Sequence, residues 1–219
     1  MRMEKRKKLF ELRRNYTHGG LSLYQVFPDP LSQFNLWFEQ ALFAGLTEPN
    51  AMTLATATRE GSVSARIVLL KEIDDKGFVF YTNYNSQKAR QLEENPRASL
   101  VFFWAELERQ VRIEGVVSKV SDEESDEYFE SRPRESQLGA WASDQSEIVQ
   151  TREELFKNYR KLEKEFEGQQ IPRPAHWGGY RLIPDHVEFW QGRPGRMHDR
   201  ILYTLSNGRT AWEKQRLAP

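Results

Sequence analysis

The sequence predicts an α+β protein, mainly β with α: a mostly antiparallel β core, closed as a barrel and surrounded by four or five helices. Two observations predict this. Short apolar or alternating stretches follow one another between turn signals, as in antiparallel sheets. Segments with helical spacing lie among them, and each begins at a residue suited to cap a helix. The 219 residues suit a single domain, for which roughly 70% of the unfolded chain's surface is buried on folding.

Four segments have the marks of helices, beyond a short basic helix that the sequence allows up to Thr17. Asp29 and Pro30 suit the N-cap and first turn of the first one, and Gly45 suits its end. Its apolar stripe consists of Leu31, Phe34, Trp37, Phe38, Ala41 and Leu42. The others are expected over residues 86–94, 121–131 and 151–167, the last two with capping-box patterns. Pro133 is expected to break the helical course after the third.

Nine stretches are typical of strands. They span residues 51–58, 62–73, 78–83, 98–105, 108–120, 180–184, 186–191, 201–205 and 209–215. Ser206, Asn207 and Gly208 form a strong hairpin signal, so the last two stretches are expected to pair.

The composition excludes several classes of protein. Lys plus Arg and Asp plus Glu each number 32, for a formal net charge of +0, which excludes a uniformly basic nucleic-acid-binding coat. Cysteine is absent, which excludes disulfides and thiol catalysis and permits a reducing compartment, so we expect a cytoplasmic protein. No apolar run reaches the length of a membrane helix. We expect no metal site, because the histidines are scattered: His18, His176, His186 and His198.

Two groups of polar side chains are candidates for anion sites. Arg66 and Lys71 bracket an apolar strand, although strand ends often carry solvated charges without a function. Tyr128 and Arg132 share a helical face, with Ser136 just past the proline, and a guanidinium matches phosphate oxygens in bidentate fashion. The alternative for this second group is an acidic surface helix in which the arginine pairs with a carboxylate.

A third group follows a loop that contains Gly and Pro. If the chain is extended there, Arg196, His198 and Arg200 share a face and form an anion pocket. A structural histidine in a charge network is the alternative. Trp190 suits stacking on a planar ring, but a tryptophan in a strand is usually core.

Seven stretches, in order and over nearly the whole chain, carry a family resemblance. They are LRRNYTHGGL (12–21), ARIVLLK (65–71), FYTNYNSQKA (80–89), ERQVRIEG (108–115), YFESRPRESQLGAWAS (128–143), FWQGRPGRMHDR (189–200) and RLAP (216–219). The chain thereby resembles pyridoxamine/pyridoxine 5'-phosphate oxidases. The resemblance implies an antiparallel FMN-binding split β-barrel and a homodimer with FMN at the subunit interface. It also implies oxidation of pyridoxine 5'-phosphate or pyridoxamine 5'-phosphate to pyridoxal 5'-phosphate by molecular oxygen, with hydrogen peroxide released.

The resemblance further implies site residues. FMN contacts fall on Arg66, Ile67, Val68, Leu69, Leu70, Lys71, Tyr81, Thr82, Gln87, Lys88, Gln110, Gln145, Ser146, Trp190 and Arg200. Substrate contacts fall on Arg13, Tyr16, Lys71, Tyr128, Arg132, Ser136, Arg196 and His198. Arg196 and His198 are implied to be the catalytic pair. Gln87 departs from the family, since many members have Arg there, and we expect a modest loss of FMN affinity from it.

These implications give the expected organisation of the chain. Residues 1–17 are expected to form a basic N-terminal segment that can act as a mobile lid. Residues 18–219 are expected to form a single FMN-binding split-barrel domain that includes the C-terminal hairpin. The main alternative to the oxidase is a non-catalytic flavin- or pyridoxal-phosphate-binding protein on the same barrel. A nucleic-acid binder that uses the basic N-terminus is a distant third, and we expect neither a nucleic-acid nor a membrane partner.

Overall fold

The computed structural model describes residues 16, 17, 19–206 and 211–219. The helices of this part are α1 (Pro30–Phe43), α2 (Gln87–Glu94), α3 (Asp122–Ser131), α4 (Arg134–Ala142) and α5 (Arg152–Glu165). Its strands are β1 (Ala51–Ala57), β2 (Val63–Leu69), β3 (Glu72–Ile73), β4 (Phe78–Asn83), β5 (Arg97–Trp104), β6 (Arg109–Lys119), β7 (Trp177–Gln191), β8 (Asp199–Leu205) and β9 (Trp212–Leu217). No helix in these described ranges is long and apolar enough to cross a membrane.

The strands of the described residues form one sheet. Its hydrogen-bonded order is β2-β1-β5-β6-β7-β4-β3, and β8 and β9 continue from β7. The pairs β1–β2, β1–β5, β3–β4, β4–β7, β7–β8 and β8–β9 are antiparallel. The α+β prediction, with an antiparallel sheet and surrounding helices, is therefore confirmed.

The chain divides into two compact units. The first comprises Met1–Pro49, Phe103–Arg112 and His186–Pro219. Its core is aromatic: the Trp37 ring lies edge-on to Phe189 at 5.2 Å, and Phe189 lies edge-on to Tyr203 at 5.5 Å.

The second unit comprises Asn50–Phe102 and Ile113–Asp185. Its fully buried side chains include Met52, Leu54, Phe78, Phe80 and Phe102 of the strands and Phe129 of α3. A cluster of Phe129, Leu138, Ile171 and Trp177 packs α3 and α4 against the start of β7. This packing fixes the α3–α4 junction, which carries several of the predicted site residues.

Most predicted elements are present, and the caps explain their bounds. The side chain of Asp29 accepts the Ser32 N–H at 2.8 Å at the start of α1, and the Ser121–Glu124 capping box is formed in both directions at the start of α3. The predicted stripe of α1 is wrong at Leu42, which is 54% exposed. The hairpin β8–β9 is confirmed by its pairing, whereas residues 207 and 208 of its turn lie outside the described residues.

Two strand predictions are wrong, each at a point where the chain changes its pairing partner. The stretch 62–73 divides into β2, which pairs with β1, and β3, which pairs with β4. Conversely, 180–184 and 186–191 form one strand, β7, which pairs with β4 up to Leu182 and with β8 from His186. Pro184 lies between these two pairings, so its missing N–H leaves both of them intact.

Two local predictions at prolines are also corrected. Pro133 begins a helix instead of only ending one, because its carbonyl accepts the N–H groups of Ser136 and Gln137 in the first turn of α4. The chain is not extended from Arg196 to Arg200: Arg196 ends a single helical turn that starts at Pro194, with a left-handed φ of 63°. The extended chain on which the shared face of Arg196, His198 and Arg200 depended is therefore absent at Arg196.

Candidate functional site

A cavity of about 490 Å³ in the second unit collects most of the predicted side chains of that unit. We call it the basic cavity. It is lined by Arg66, Ile67, Val68, Leu69, Lys71, Tyr81, Thr82, Lys88, Tyr128, Arg132, Pro133, Ser136, Gln145 and Trp177. These residues lie in β2, β4, α2, the α3–α4 junction and the start of β7, apart from Lys71, which lies between β2 and β3, and Gln145, which follows α4. Among the described residues that line it are four cations and no carboxylate, so the cavity is suited to anions.

One pair of cations lies on β2 and α2. The Arg66 Nη1 donates to Thr56 Oγ1 at 2.6 Å and to the Leu54 carbonyl at 3.2 Å, which holds the guanidinium at the wall. The Lys88 Nζ donates to neutral oxygens only: Thr82 Oγ1 at 3.1 Å, Ser86 Oγ at 3.3 Å and Gln145 Oε1 at 2.7 Å. Burial, and then the charge of Arg66, lower the pKa of Lys88 to about 8.

A second group lies at the α3–α4 junction. Arg132 is the C-cap of α3, and Ser136 lies in the first turn of α4. The Nη1 of Arg132 is buried and has no hydrogen-bond partner among the described residues. Burial lowers the pKa of this guanidinium. A buried N–H without a partner costs free energy, so this group is suited to donate a hydrogen bond to an anionic ligand.

An aromatic wall faces these cations. The rings of Tyr81 and Tyr128 stack at 4.0 Å, and the Lys71 Nζ lies 5.9 Å from the centre of the Tyr128 ring. Burial, followed by the charges of Glu72 and Glu124, raises the pKa of Tyr81 to about 12. The wall is therefore apolar, and the Tyr81 hydroxyl is neutral at ordinary pH.

Three predicted residues of the second unit are not among the residues that line the basic cavity. Leu70 is buried at 5% exposure, and its N–H donates to the Asn50 carbonyl. Gln87 and Ser146 are exposed, and they are joined by a hydrogen bond of 3.2 Å from the Gln87 N–H to the Ser146 Oγ. Arg13 lies outside the described residues.

The first unit holds the remaining predicted residues. Tyr16, Trp190 and His198 form an aromatic cluster with ring centres 4.7–5.6 Å apart. The His198 Nδ1 accepts the Arg193 N–H at 3.1 Å. Arg196 is exposed in its turn. Two further predicted residues belong to strands of this unit, namely Gln110 in β6 and Arg200 in β8.

The Arg200 guanidinium is already engaged within its unit. Its Nε lies 2.7 Å from the Glu188 Oε1, and its Nη1 donates to the Ala218 carbonyl at 2.9 Å. Glu188 itself is 3% exposed and also pairs with Arg112 at 3.0 Å.

Two residues that line the basic cavity escaped the sequence reasoning. Pro133 was interpreted only as a helix breaker, and Trp177 lay just before the predicted strand 180–184. The available signal for Trp177 was an aromatic residue directly after a proline-rich linker.

Comparison with known proteins decides the family. The sequence profile described as pyridoxamine 5'-phosphate oxidase matches residues 38–164, more than half of the chain. The chain belongs to the pyridoxamine 5'-phosphate oxidase family. A second profile, the pyridoxine 5'-phosphate oxidase C-terminal dimerisation region, matches residues 177–219. The first profile covers every residue of the basic cavity except Trp177, which opens the second.

Curated relatives support membership in this oxidoreductase family. A pyridoxine/pyridoxamine 5'-phosphate oxidase from a Nostoc species is 60% identical over 209 residues, which is 95% of this chain and 97% of that protein. The protein of the same description from Rubrobacter xylanophilus is 57% identical over 214 residues, or 98% of each chain.

Solved structures give the same fold. PhzG from Burkholderia lata, in complex with tetrahydrophenazine-1-carboxylic acid, matches with a TM-score of 0.88 and 30% identity over 94% of this chain and 100% of that one. A pyridoxamine 5'-phosphate oxidase-related, FMN-binding protein from Nostoc punctiforme matches with a TM-score of 0.68 and 16% identity over 85% and 97% of the two chains. The expected split-barrel fold is thereby confirmed.

Proposed function

We propose that this protein oxidises pyridoxine 5'-phosphate or pyridoxamine 5'-phosphate to pyridoxal 5'-phosphate. FMN is its cofactor, molecular oxygen accepts the electrons and hydrogen peroxide is released. The protein acts in the cytoplasm as a homodimer that holds FMN at the subunit interface, with contacts from both chains. The observation that carries this proposal is the basic cavity: its described lining residues include four cations and no carboxylate. The chain that contains it belongs to the pyridoxamine 5'-phosphate oxidase family.

The chemistry of the donor set fits two phosphates, one from FMN and one from the substrate. Arg66 and Lys88 are assigned to the FMN phosphate, because the two cations lie near enough for Arg66 to lower the pKa of Lys88. A dianionic phosphate relieves that repulsion. The residues assigned to the substrate phosphate are Lys71, Tyr128, Arg132 and Ser136. The Arg132 Nη1, which has no partner among the described residues, can donate a hydrogen bond to a phosphate oxygen.

The remaining cofactor contacts are assigned to side chains that the family resemblance implies. The segment from Arg66 to Lys71 and the pair Tyr81 and Thr82 are assigned to FMN contacts. The further assigned contacts are Gln87, Gln110, Gln145, Ser146, Trp190 and Arg200. Gln87 can donate hydrogen bonds to the phosphate but brings no charge, so a modest loss of FMN affinity is expected from it.

The catalytic roles follow from the position of the reacting group. Bound FMN would supply the redox chemistry, the two-electron oxidation of the substrate carbon with oxygen as final acceptor. Arg196 and His198 orient the alcohol or amine and assist removal of its proton. Tyr16 is also assigned to the substrate, as is Arg13, which lies outside the described residues. Because His198 Nδ1 accepts the Arg193 N–H, the neutral ring carries its hydrogen on Nε2, which can donate to the alcohol or amine and so orient it. The alcohol yields the aldehyde directly, whereas the amine also consumes water and releases ammonia.

A loading and turnover experiment tests this function. The purified protein is incubated with FMN, and its visible spectrum is recorded after free flavin is removed. Pyridoxine 5'-phosphate is then added in air, and pyridoxal 5'-phosphate and hydrogen peroxide are both measured. Equal amounts of the two products support the oxidase. A protein that retains FMN without turnover is the non-catalytic binder, and one that cannot retain FMN overturns the cofactor assignment.

A further inference from the structure

Trp177 is a buried residue of the basic cavity to which neither the sequence nor the family resemblance gives a role. It opens β7 and is 6% exposed. Its ring lies nearly parallel to those of Tyr81 (5.4 Å, 12°) and Tyr128 (6.1 Å, 9°), and edge-on to Phe129 at 5.2 Å. The indole is therefore the inner layer of the aromatic wall.

The guanidinium of Arg132 lies on this indole. Its Cζ is 4.5 Å from the centre of the Trp177 ring and 5.6 Å from that of Phe129. Tryptophan is the aromatic residue that attracts a cation most strongly over its face. A guanidinium that contacts an aromatic face in this way keeps its N–H groups available for other partners.

This way of holding an arginine suits an anion site. A carboxylate partner would use the same N–H groups that a phosphate needs, and it would repel the phosphate. An aromatic face uses none of them. The buried Nη1, which has no partner among the described residues, is the expected result of such a support.

The support is itself anchored to the helix that carries Arg132. The Arg173 Nη1 donates to the Trp177 carbonyl at 2.7 Å. Its Nε and Nη2 pair with Asp126 at 2.6 Å and with Asp122 at 2.8 Å, both in the first half of α3. Arg132 caps the other end of α3. Arg173 therefore fixes the position of Trp177 relative to the helix that carries the Arg132 guanidinium.

We propose that Trp177 is a positioning residue for the substrate phosphate, acting through Arg132. It holds the guanidinium by a cation–π contact in the orientation that receives the phosphate, and it touches no reacting atom. This inference rests on the proposed function for its substrate, and it deepens the phosphate subsite of that function.

The test compares W177L with W177F, and uses W141L as the matched control. Trp141 is a half-buried indole of the same cluster that does not line the basic cavity, and its Nε1 donates to the Pro172 carbonyl. W177L is expected to raise the KM for pyridoxine 5'-phosphate about tenfold with kcat within about twofold, as loss of a desolvated cation–π contact predicts. W177F keeps a weaker ring and is expected to raise KM about threefold. W141L should leave KM unchanged.

A double-mutant cycle separates positioning from a general structural effect. If Trp177 acts through Arg132, R132M and R132M/W177L have the same KM, because the guanidinium that the indole supports is already gone. A KM that rises by the same factor in both backgrounds overturns the proposal. An unchanged KM in W177L with wild-type FMN retention overturns it too. Should W177L fail to fold, the same cycle is made with W177F.

A binding measurement keeps this test independent of turnover. The affinity for pyridoxal 5'-phosphate is measured by titration for each variant. If the wild-type protein does not oxidise its substrate, the proposed function fails, while a tenfold loss of pyridoxal 5'-phosphate affinity in W177L that disappears in the R132M background still supports the role of Trp177. Equal affinities of the wild-type protein and W177L overturn that role whether or not the oxidase is active.

Discussion

The Nζ of Lys88 lies 2.7 Å from the Oε1 of Gln145, at the wall of the basic cavity. Every described acceptor of this ammonium is a neutral oxygen, and the charge of Arg66 also acts on it. Burial and this like charge lower its pKa to about 8. With the FMN phosphate assigned to Lys88 as proposed, we expect the bound phosphate to supply the missing negative charge and to raise the pKa of Lys88.

FMN binding is therefore expected to depend on pH. The bound state favours protonated Lys88, so affinity is full below about pH 8 and falls as pH rises above the pKa of the free protein, by up to tenfold per pH unit. Flavin fluorescence titrations at several pH values measure this. K88Q should bind FMN weakly with a flatter profile, whereas K76Q, in the exposed turn before β4, should behave as wild type. A wild-type affinity that is constant up to about pH 9.5 contradicts the assignment.

Gln87 gives a gain-of-affinity prediction. It is exposed at the first position of α2, close in sequence to Lys88. Q87R is expected to tighten FMN binding about fivefold with kcat unchanged, because a charge-assisted hydrogen bond to phosphate is about twice as strong as a neutral one. Equilibrium titration with FMN measures the change. Q25R adds the same charge at an exposed site of the first unit and should leave FMN affinity as it is; equal gains in both variants would reveal only a long-range charge effect.

Arg132 and Arg134 lie two residues apart, and their substitutions should have opposite effects: one on the KM for the substrate, the other on the unfolding temperature. R132M is expected to raise the KM for pyridoxine 5'-phosphate about 30-fold or more, because it removes a charged hydrogen bond to the substrate. The unfolding temperature should not fall, because the substitution also removes a buried N–H that has no partner among the described residues. Arg134 instead donates to the carbonyls of Phe166 at 2.5 Å and Gln169 at 2.9 Å. R134M should therefore lower the unfolding temperature and leave KM unchanged. Steady-state kinetics and thermal unfolding of both variants decide this, and a destabilised R132M with normal KM would refute it.

The elements were largely predictable because their signals are local. Asp29 and Ser121 act through residues three positions away, so the starts of α1 and α3 could be predicted. The division of 62–73 into β2 and β3 could not, because it depends on a change of partner from β1 to β4 that no local pattern records.

The same distinction applies to the site. Arg66, Lys71 and Arg132 stand out as cations within apolar or helical patterns, and all three line the basic cavity. Trp177 is 45 residues from Arg132 in sequence, and its role depends on how β7 packs on α3. A buried tryptophan has the same local pattern whether it supports a guanidinium or only fills the core.

Substitution of Arg196 separates an effect on kcat from an effect on FMN affinity. It is exposed on a turn of the first unit and is assigned to the reacting group of the substrate. R196M is expected to lower kcat about 100-fold, as loss of a positioning or charge-stabilising group typically does, with FMN affinity within about twofold. R59M, in the exposed turn between β1 and β2, is the matched control and should change neither. Stopped-flow flavin reduction isolates the affected step, and equal losses of kcat and FMN affinity would contradict the assignment.

Arg181 ties α3 to the sheet through two carboxylates. It is 8% exposed, and its Nη2 lies 2.5 Å from Asp74 and 2.6 Å from Glu124. Burial alone raises the pKa of Asp74, but the N–H groups of Lys76 and Gly77 and the charge of Arg181 outweigh it, so the net pKa is lowered. The N–H of Ser121, followed by Arg181, lowers the pKa of Glu124.

These lowered pKa values fix the sign of the acid response. A carboxylate with a lowered pKa in the folded state contributes stability that is fully present above its unfolded pKa, and loses it as pH falls through the folded pKa. The free energy of unfolding should thus decline below about pH 4.5. R181M should lower it by about 2 kcal/mol at pH 7, less than for a fully buried pair because Glu124 is partly exposed, and should flatten the decline on acidification. Urea unfolding at about pH 7 and pH 4 measures both effects. R90M, which breaks the exposed pair of Arg90 with Glu147, is the control and should lower the free energy of unfolding by under about 0.5 kcal/mol. If the stability of R181M falls with acid as steeply as that of the wild type, Arg181 does not set these pKa values.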